Sequence, residues 1–169
     1  MIDIGAGNGE LSILFKRAGA AVFAIEPIAR SGYDIYENLI VNNMSLDEVD
    51  VIEKYIGDVK ELKEKWALDG MPLDSVPVDR SSFGFIKIDT DGHEVNVLRS
   101  GLALLANARP ALMVETHSIE LERNCIALLK ELQYRCEIIK NAWFRSIIHE
   151  QRYGHNRWLF ASPDNARLN

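Results

Sequence analysis

Four stretches of the chain gather side chains able to do chemistry, and each sits at the end of a short apolar run. The first is Asp3-Ile4-Gly5-Ala6-Gly7-Asn8-Gly9, which follows Ile2 and leads into an amphipathic segment opening at Glu10. Glycines let the backbone turn sharply and approach a ligand closely. The spacing is G-x-G-x-G, with Glu10 where a dinucleotide fingerprint carries its third glycine. A pyrophosphate needs a clear helix N-terminus, and a carboxylate in the first turn repels it. Gly5, Ala6, Gly7 and Gly9 therefore suit a ligand without phosphate, and Asp3 is placed to accept a hydrogen bond from an amino group on it. The plainer alternative is a tight turn with no ligand.

The second stretch is Glu26-Pro27, after the apolar run Ala21 to Ile25. A carboxylate there can accept from both hydroxyls of a ribose and would repel a 2′-phosphate. S-adenosylmethionine, a nucleoside with a sulfonium and an amino group, meets both conditions. An NAD-dependent oxidoreductase using the same Glu26 is the competing class. Asp58, in Ile56-Gly57-Asp58, is either an acceptor for an adenine amino group or an ordinary turn residue.

The third and fourth stretches are Lys87-Ile88-Asp89-Thr90-Asp91-Gly92-His93-Glu94 and Val114-Glu115-Thr116-His117. Asp89 belongs at a strand tip facing the cleft, and Asp91 with Glu94 has the form of a helix capping box. The D-x-D-x-H spacing also suits Mg²⁺ or Mn²⁺. Short acidic turns are common without an ion, and the sequence reading assigns no metal. Alternation puts Glu115 and His117 on one side of their strand. Imidazole titrates near neutrality, so His117 is the better general base, with Asp89 the other candidate. A polar residue opening a loop beside Ser118 is the plain reading of His117. Lys87 either faces the cleft and pairs with Asp89 or Glu94, or turns to the sheet edge.

The elements that must hold these groups alternate strand and helix. Strands are expected at Ile2–Ile4, Ala21–Ile25, Val49–Ile56, Phe83–Ile88 and Ala111–Val114, with two more at Arg135–Lys140 and Arg157–Ala161. Leu11, Leu14, Phe15 and Ala18 mark one helix stripe, and Ile35, Tyr36, Leu39 and Ile40 a second opening near Ser31. Val95, Leu98, Leu102 and Leu105 mark a third. Ser118 caps a fourth, whose face is Leu121, Cys125, Leu128 and Leu132. Such alternation gives an α/β, doubly wound, mainly parallel sheet with an antiparallel C-terminal edge strand, its ligands beyond the carboxyl ends of the strands. Between the last two strands, Trp143, Phe144, His149, Tyr153 and His155 either line an acceptor pocket or pack a hairpin.

At 169 residues the chain suits one domain over 1–169, either minimal or lacking an N-terminal segment. Its net charge of −6 argues against nucleic acid as principal partner. No apolar run reaches the roughly 20 residues that span a bilayer, and no basic n-region opens the chain, so no membrane partner is expected and the cytoplasm is the default location. Cys125 and Cys136 form neither a disulfide framework nor a zinc pattern.

Taken in order, these motifs resemble the FkbM-type methyltransferases. The resemblance runs through Asp3-Ile4-Gly5-Ala6, Glu26-Pro27, Asn38 and Asn42, Leu73-Asp74-Ser75, Ile86 to Glu94, Arg109-Pro110 and Val114 to His117, from residue 1 to about residue 134. Order and spacing are more specific here than any one motif. The resemblance implies a Rossmann-like class I methyltransferase fold and O-methylation of a hydroxyl on a small molecule or sugar, with S-adenosylmethionine as donor. A non-catalytic cofactor-binding module of the same fold is the third class.

Overall fold

The computed structural model describes residues 1–27, 29–79, 81, 83–139 and 157–164, with side chains 29–33 and 66 left aside. Strand β1 (Ile2–Ile4) is wholly buried, as befits a central parallel strand covered on both faces. Helix α1 (Glu10–Arg17) returns the chain to β2 (Phe23–Ile25), and α2 (Ala29–Val41) leads to β3 (Asp50–Ile52). The chain then crosses to the other side of β1, where β6 (Phe85–Ile88) pairs with it in parallel register, Ile4 opposite Ile88. Next come α4 (Glu94–Arg99), α5 (Leu102–Ala108), β7 (Ala111–Thr116), α6 (Ile119–Glu131), β8 (Tyr134–Ile139) and β9 (Arg157–Pro163). The seven-stranded order is β3-β2-β1-β6-β7-β9-β8. The first five strands are parallel; β9 runs antiparallel between β7 and β8. The strand order reverses between β1 and β6, which is where a doubly wound sheet opens its ligand crevice.

Two apolar clusters cover the two faces. Ile2, Ile4, Ile86, Ile88, Leu112 and Val114 pack with Leu98, Leu105 and Leu129 on one side. Ala24 points the other way, into Ile13, Ile35 and Leu39 of α1 and α2. Asp3 and Lys87 alternate with the isoleucines of β1 and β6, so they too face the side of α1.

Several elements differ from the sequence expectation for identifiable reasons. The Val49–Ile56 run divides: β4 (Tyr55–Ile56) leaves the main sheet after a turn at Glu53-Lys54 and pairs with β5 (Gly70–Met71), with α3 (Val59–Trp66) between them. The α1 stripe is rotated, leaving Leu14 61% exposed and burying Ser12 and Ile13, because Ser12 bonds to Asp3 beneath it. Ser31 lies inside α2 rather than ahead of it. The 95–105 stripe breaks at Ser100-Gly101, where a Cβ on Gly101 would stand 2.5 Å from the buried Leu73. Asp74 restarts the helix by accepting from the Ala103 and Leu104 N–H groups. Ser118 caps α6 as expected, accepting from the Leu121 N–H. The expected pocket residues Trp143, Phe144, His149, Tyr153 and His155 lie outside the described residues.

Candidate active site

The glycine bend is built by three left-handed residues: Gly5 (φ 71°), Gly7 (φ 53°) and Gly9 (φ 79°). Its backbone is tied to β2, for the N–H groups of Gly5 and Ala6 both donate to the Ile25 carbonyl. Gly5 passes so close to β6 that a Cβ would lie 1.7 Å from the Asp89 carbonyl oxygen. Gly7 differs, since a Cβ there would meet nothing within 4 Å. Gly9 packs against Ile35 and precedes α1. From α2, Asn38 Nδ2 donates to the Asn8 carbonyl at 2.8 Å, so a half-buried helix side chain also fixes the loop. Glu26 leans over from the tip of β2, and one of its oxygens accepts the Gly7 N–H at 2.9 Å.

Beneath the bend lies a buried ionic network. Asp3 has no exposed surface; its Oδ2 accepts from Ser12 at 2.7 Å and its Oδ1 stands 3.1 Å from Lys87 Nζ. Lys87 also donates to the Gly5 carbonyl at 2.6 Å and lies 3.8 Å from Asp89. Asp3, expected as an acceptor from a ligand's amino group, is held here by Ser12 and Lys87. Sealed under α1, it positions the loop through Ser12 and Lys87. Lys87 thus has Asp3 as its nearer carboxylate partner and Asp89, one of those expected, as its farther one.

The acidic turn after β6 converges on His117, just beyond β7. His117 Nδ1 lies 2.9 Å from Glu94 Oε1, and Nε2 lies 3.2 Å from Asp91 Oδ1 and 3.7 Å from Asp89 Oδ1. Glu94 is fully buried, whereas the Asp91 side chain is 96% exposed. The capping box does not form: Asp91 adopts φ 48°, His93 precedes the helix, and Glu94 turns back to accept the Gly92 N–H. Sequence reasoning treated Glu94 as a helix-starting residue and missed it as the partner of His117. A carboxylate two residues after a glycine turn was the only local hint. Glu115 is buried on β7.

Two cavities open at these strand tips and share Gly5 and Asp89. One, of about 240 Å³, has apolar walls from Ile25, Pro27, Tyr55 and Ile56 and carboxylates from Glu26, Asp89 and Asp91. The other, of about 300 Å³, is bounded by Ala6, Gly7, Glu10, Lys87 and Trp158. Tyr55 and Trp158 were not singled out from sequence, because their positions follow from the β4 break and the β7–β9 pairing. Asp58 is not among the residues lining either cavity; it caps α3, accepting from the Glu61 N–H at 2.8 Å. The donor set fits S-adenosylmethionine on its chemistry: apolar walls for a purine, a carboxylate at the second strand tip, open space over Gly7, and acidic groups that favour a cation and oppose phosphate.

The family model described as "Methyltransferase FkbM domain" matches residues 3–136. The chain superposes on a crystal structure of methyltransferase FkbM from Methylobacillus flagellatus KT with TM-score 0.67 and 19% identity, covering 95% of this chain and 42% of that one. A SAM-dependent O-methyltransferase from Thermotoga maritima gives TM-score 0.62 and 16% identity, over 96% of this chain and 58% of that one. A putative tRNA (m1A22) methyltransferase from Streptococcus pneumoniae gives TM-score 0.62 and 15% identity, over 99% and 65%. At such identities these likenesses speak to the fold, which is the Rossmann-like methyltransferase fold. The chain spans less than two thirds of each of these three proteins. Among curated proteins no match is found. No helix among the described residues is long and apolar enough to cross a membrane.

Proposed function

The chain belongs to the FkbM methyltransferase domain family, and from that premise we propose that it uses S-adenosylmethionine to methylate a hydroxyl oxygen of a small molecule or sugar. When bound, the cofactor supplies an electrophilic methyl group on a sulfonium. The observation that carries the reading is the Glu26 carboxylate on the Gly7 N–H, bordering open space and an acidic cavity. Glu26 accepts from the ribose hydroxyls, and Ile25, Pro27, Tyr55 and Ile56 enclose the purine. Gly5, Ala6 and Gly7 let the backbone come close, and Gly9 sets the loop's exit into α1. Asp58 shapes the adenine end through the start of α3.

Asp89 stands at the wall between the two cavities, and His117 Nε2 faces it. These two groups receive the acceptor hydroxyl and take up or direct its proton. Orienting the acceptor oxygen is the larger task, since well-aligned reactants gain about 7–11 kcal/mol over free encounter. The net charge of −6 favours a neutral or cationic acceptor over nucleic acid.

The test is transfer of isotopically labelled methyl to a panel of hydroxylated sugars and small molecules, with RNA and protein as controls. Label on an acceptor oxygen, matched by S-adenosylhomocysteine, supports the reading. Label on nitrogen or carbon, or on RNA alone, overturns it.

A further inference from the structure

We propose that Asp89, Asp91 and His117 bind one divalent cation of the Mn²⁺ type at the mouth of the cleft. One ligand atom from each of these residues lies within 4.8 Å of the others. Donor atoms on a shared cation with bonds of about 2.1 Å stand roughly 3–4 Å apart. The 3.2 Å and 3.7 Å separations from Nε2 are of that size. Two carboxylates and an imidazole are a donor set for Mn²⁺ or a neighbouring first-row ion, in contrast to the all-oxygen sets of Ca²⁺. The third ligand differs from the one the D-x-D-x-H spacing suggests: His117, just after β7, takes the place of His93.

A separate observation on the far side of the ring points the same way. Glu94, fully buried, holds His117 Nδ1 at 2.9 Å. A hydrogen bond from Nδ1–H to that carboxylate fixes the tautomer whose lone pair sits on Nε2, aimed at Asp89 and Asp91. Metal-bound histidines are oriented by a carboxylate in this way. Glu94 Oε2 is buried with no hydrogen-bond partner among the described residues. Lys87 stands 3.8 Å from the other oxygen of Asp89, but its nearer partners are Asp3 and the Gly5 carbonyl.

The use of this cation in catalysis rests on the methyltransferase reading, while its binding does not. An acceptor hydroxyl on the cation ionises more readily. Its O–H bond would break and the proton leave to solvent past the exposed Asp91; the electron pair kept by the oxygen would form the bond to methyl as the S–CH3 bond breaks, that pair staying on sulfur in the departing S-adenosylhomocysteine. Of the two roles proposed above, Asp89 and His117 would then direct the proton through the cation they hold rather than take it up.

The experiment is titration of the full chain with Mn²⁺, followed by electron paramagnetic resonance without cofactor or acceptor. One Mn²⁺ per chain is expected. Asp91→Asn should weaken it at least tenfold, and Glu94→Gln by about 10–100-fold. Asp91 is the safest position because its side chain is solvent-exposed, so the variant keeps its fold. An undiminished free-Mn²⁺ signal, or binding unchanged in Asp91→Asn and His117→Ala, overturns the site. A chain that methylates its acceptor in EDTA and takes up no Mn²⁺ overturns this inference alone and leaves the methyltransferase reading standing.

Discussion

Glu94 and His117 come from different elements, yet Glu94 Oε1 and His117 Nδ1 meet at 2.9 Å in a pocket from which Glu94 is wholly excluded from water. The buried carboxylate can therefore set the ring's orientation and the tautomer it presents to the cleft. Glu94→Gln keeps the shape and removes the charge. Turnover should fall about 10–100-fold, the range seen when an orienting partner is lost. Cofactor affinity, measured by calorimetry, should stay within about twofold, because Glu94 does not line the cavity proposed for the cofactor. His117→Ala should behave likewise, and full activity in that variant would remove His117 from the site.

Gly5 and Gly7 share a left-handed backbone but differ in what lies above them. Gly5→Ala drives a methyl into the Asp89 carbonyl, 1.7 Å away, and should displace the tip of β6 or prevent folding. Gly7→Ala meets no protein atom, so its penalty is about 1–2 kcal/mol from the left-handed backbone alone. That protein should fold with a modestly lower melting temperature and lose cofactor affinity by tenfold or more. Calorimetry on folded Gly7→Ala decides this; unchanged affinity would show that nothing docks there.

Lys87 and Asp3 form a buried pair at 3.1 Å. Lys87→Met would leave Asp3 charged and enclosed, a loss of about 3–5 kcal/mol when one partner of such a pair is removed. Removing both in Asp3→Leu/Lys87→Met should restore part of that stability, because no isolated charge is then enclosed. Chemical denaturation of the four proteins closes the cycle. Additive losses would mean the two side chains do not interact.

Arg109 donates to the carbonyls of Leu132 and Gln133 at 3.1 Å and 2.9 Å, and its guanidinium lies 5.1 Å from the centroid of the Tyr134 ring. It fastens the end of α6 to the start of β8. Arg109→Ala should cost about 1–3 kcal/mol, as for lost hydrogen bonds from a charged donor with a cation–π contact. Cofactor affinity should not change. A melting temperature equal to wild type would contradict this account of the Arg109-Pro110 motif.

Burial pushes the Cys125 thiol from its ordinary 9.0 up to about 12, with Glu94 adding to the rise, and burial pushes Tyr134 from 10.0 to about 12. Both groups stay protonated in the folded chain while the unfolded chain ionises first. Their contribution to stability is therefore complete below pH 9 and declines as pH rises from about 9 to 12. Denaturant midpoints at pH 8, 9 and 10 should fall in that order. Cys125 should also resist alkylation at pH 8 until the chain unfolds. A flat profile over that range would contradict both assignments.

What the sequence revealed was whatever sits at a strand tip within a few residues of its own strand. The glycine bend, Glu26-Pro27 and Asp89 are of this kind, because local spacing alone puts them at the carboxyl ends of β1, β2 and β6. The parallel order was legible for the same reason, since apolar runs too short to bury helices alternate with helical stripes. Contacts that depend on which strands become neighbours were not legible. Asp3 meets Lys87 only because the chain crosses back to place β6 beside β1, and His117 meets Glu94 only because β7 packs beside β6. Asp58 illustrates a third limit, for a turn aspartate and a helix cap look alike in sequence.

The central claim is that the crevice at the carboxyl ends of β1, β2 and β6 takes a positively charged nucleoside without phosphate, held by Glu26. Isothermal calorimetry of the wild type and Glu26→Ala, each with S-adenosylmethionine and with NAD, tests it most directly. The account predicts binding of S-adenosylmethionine to the wild type, weakened at least tenfold in Glu26→Ala, and no heat with NAD. NAD binding, or equal S-adenosylmethionine affinity in both proteins, would contradict it.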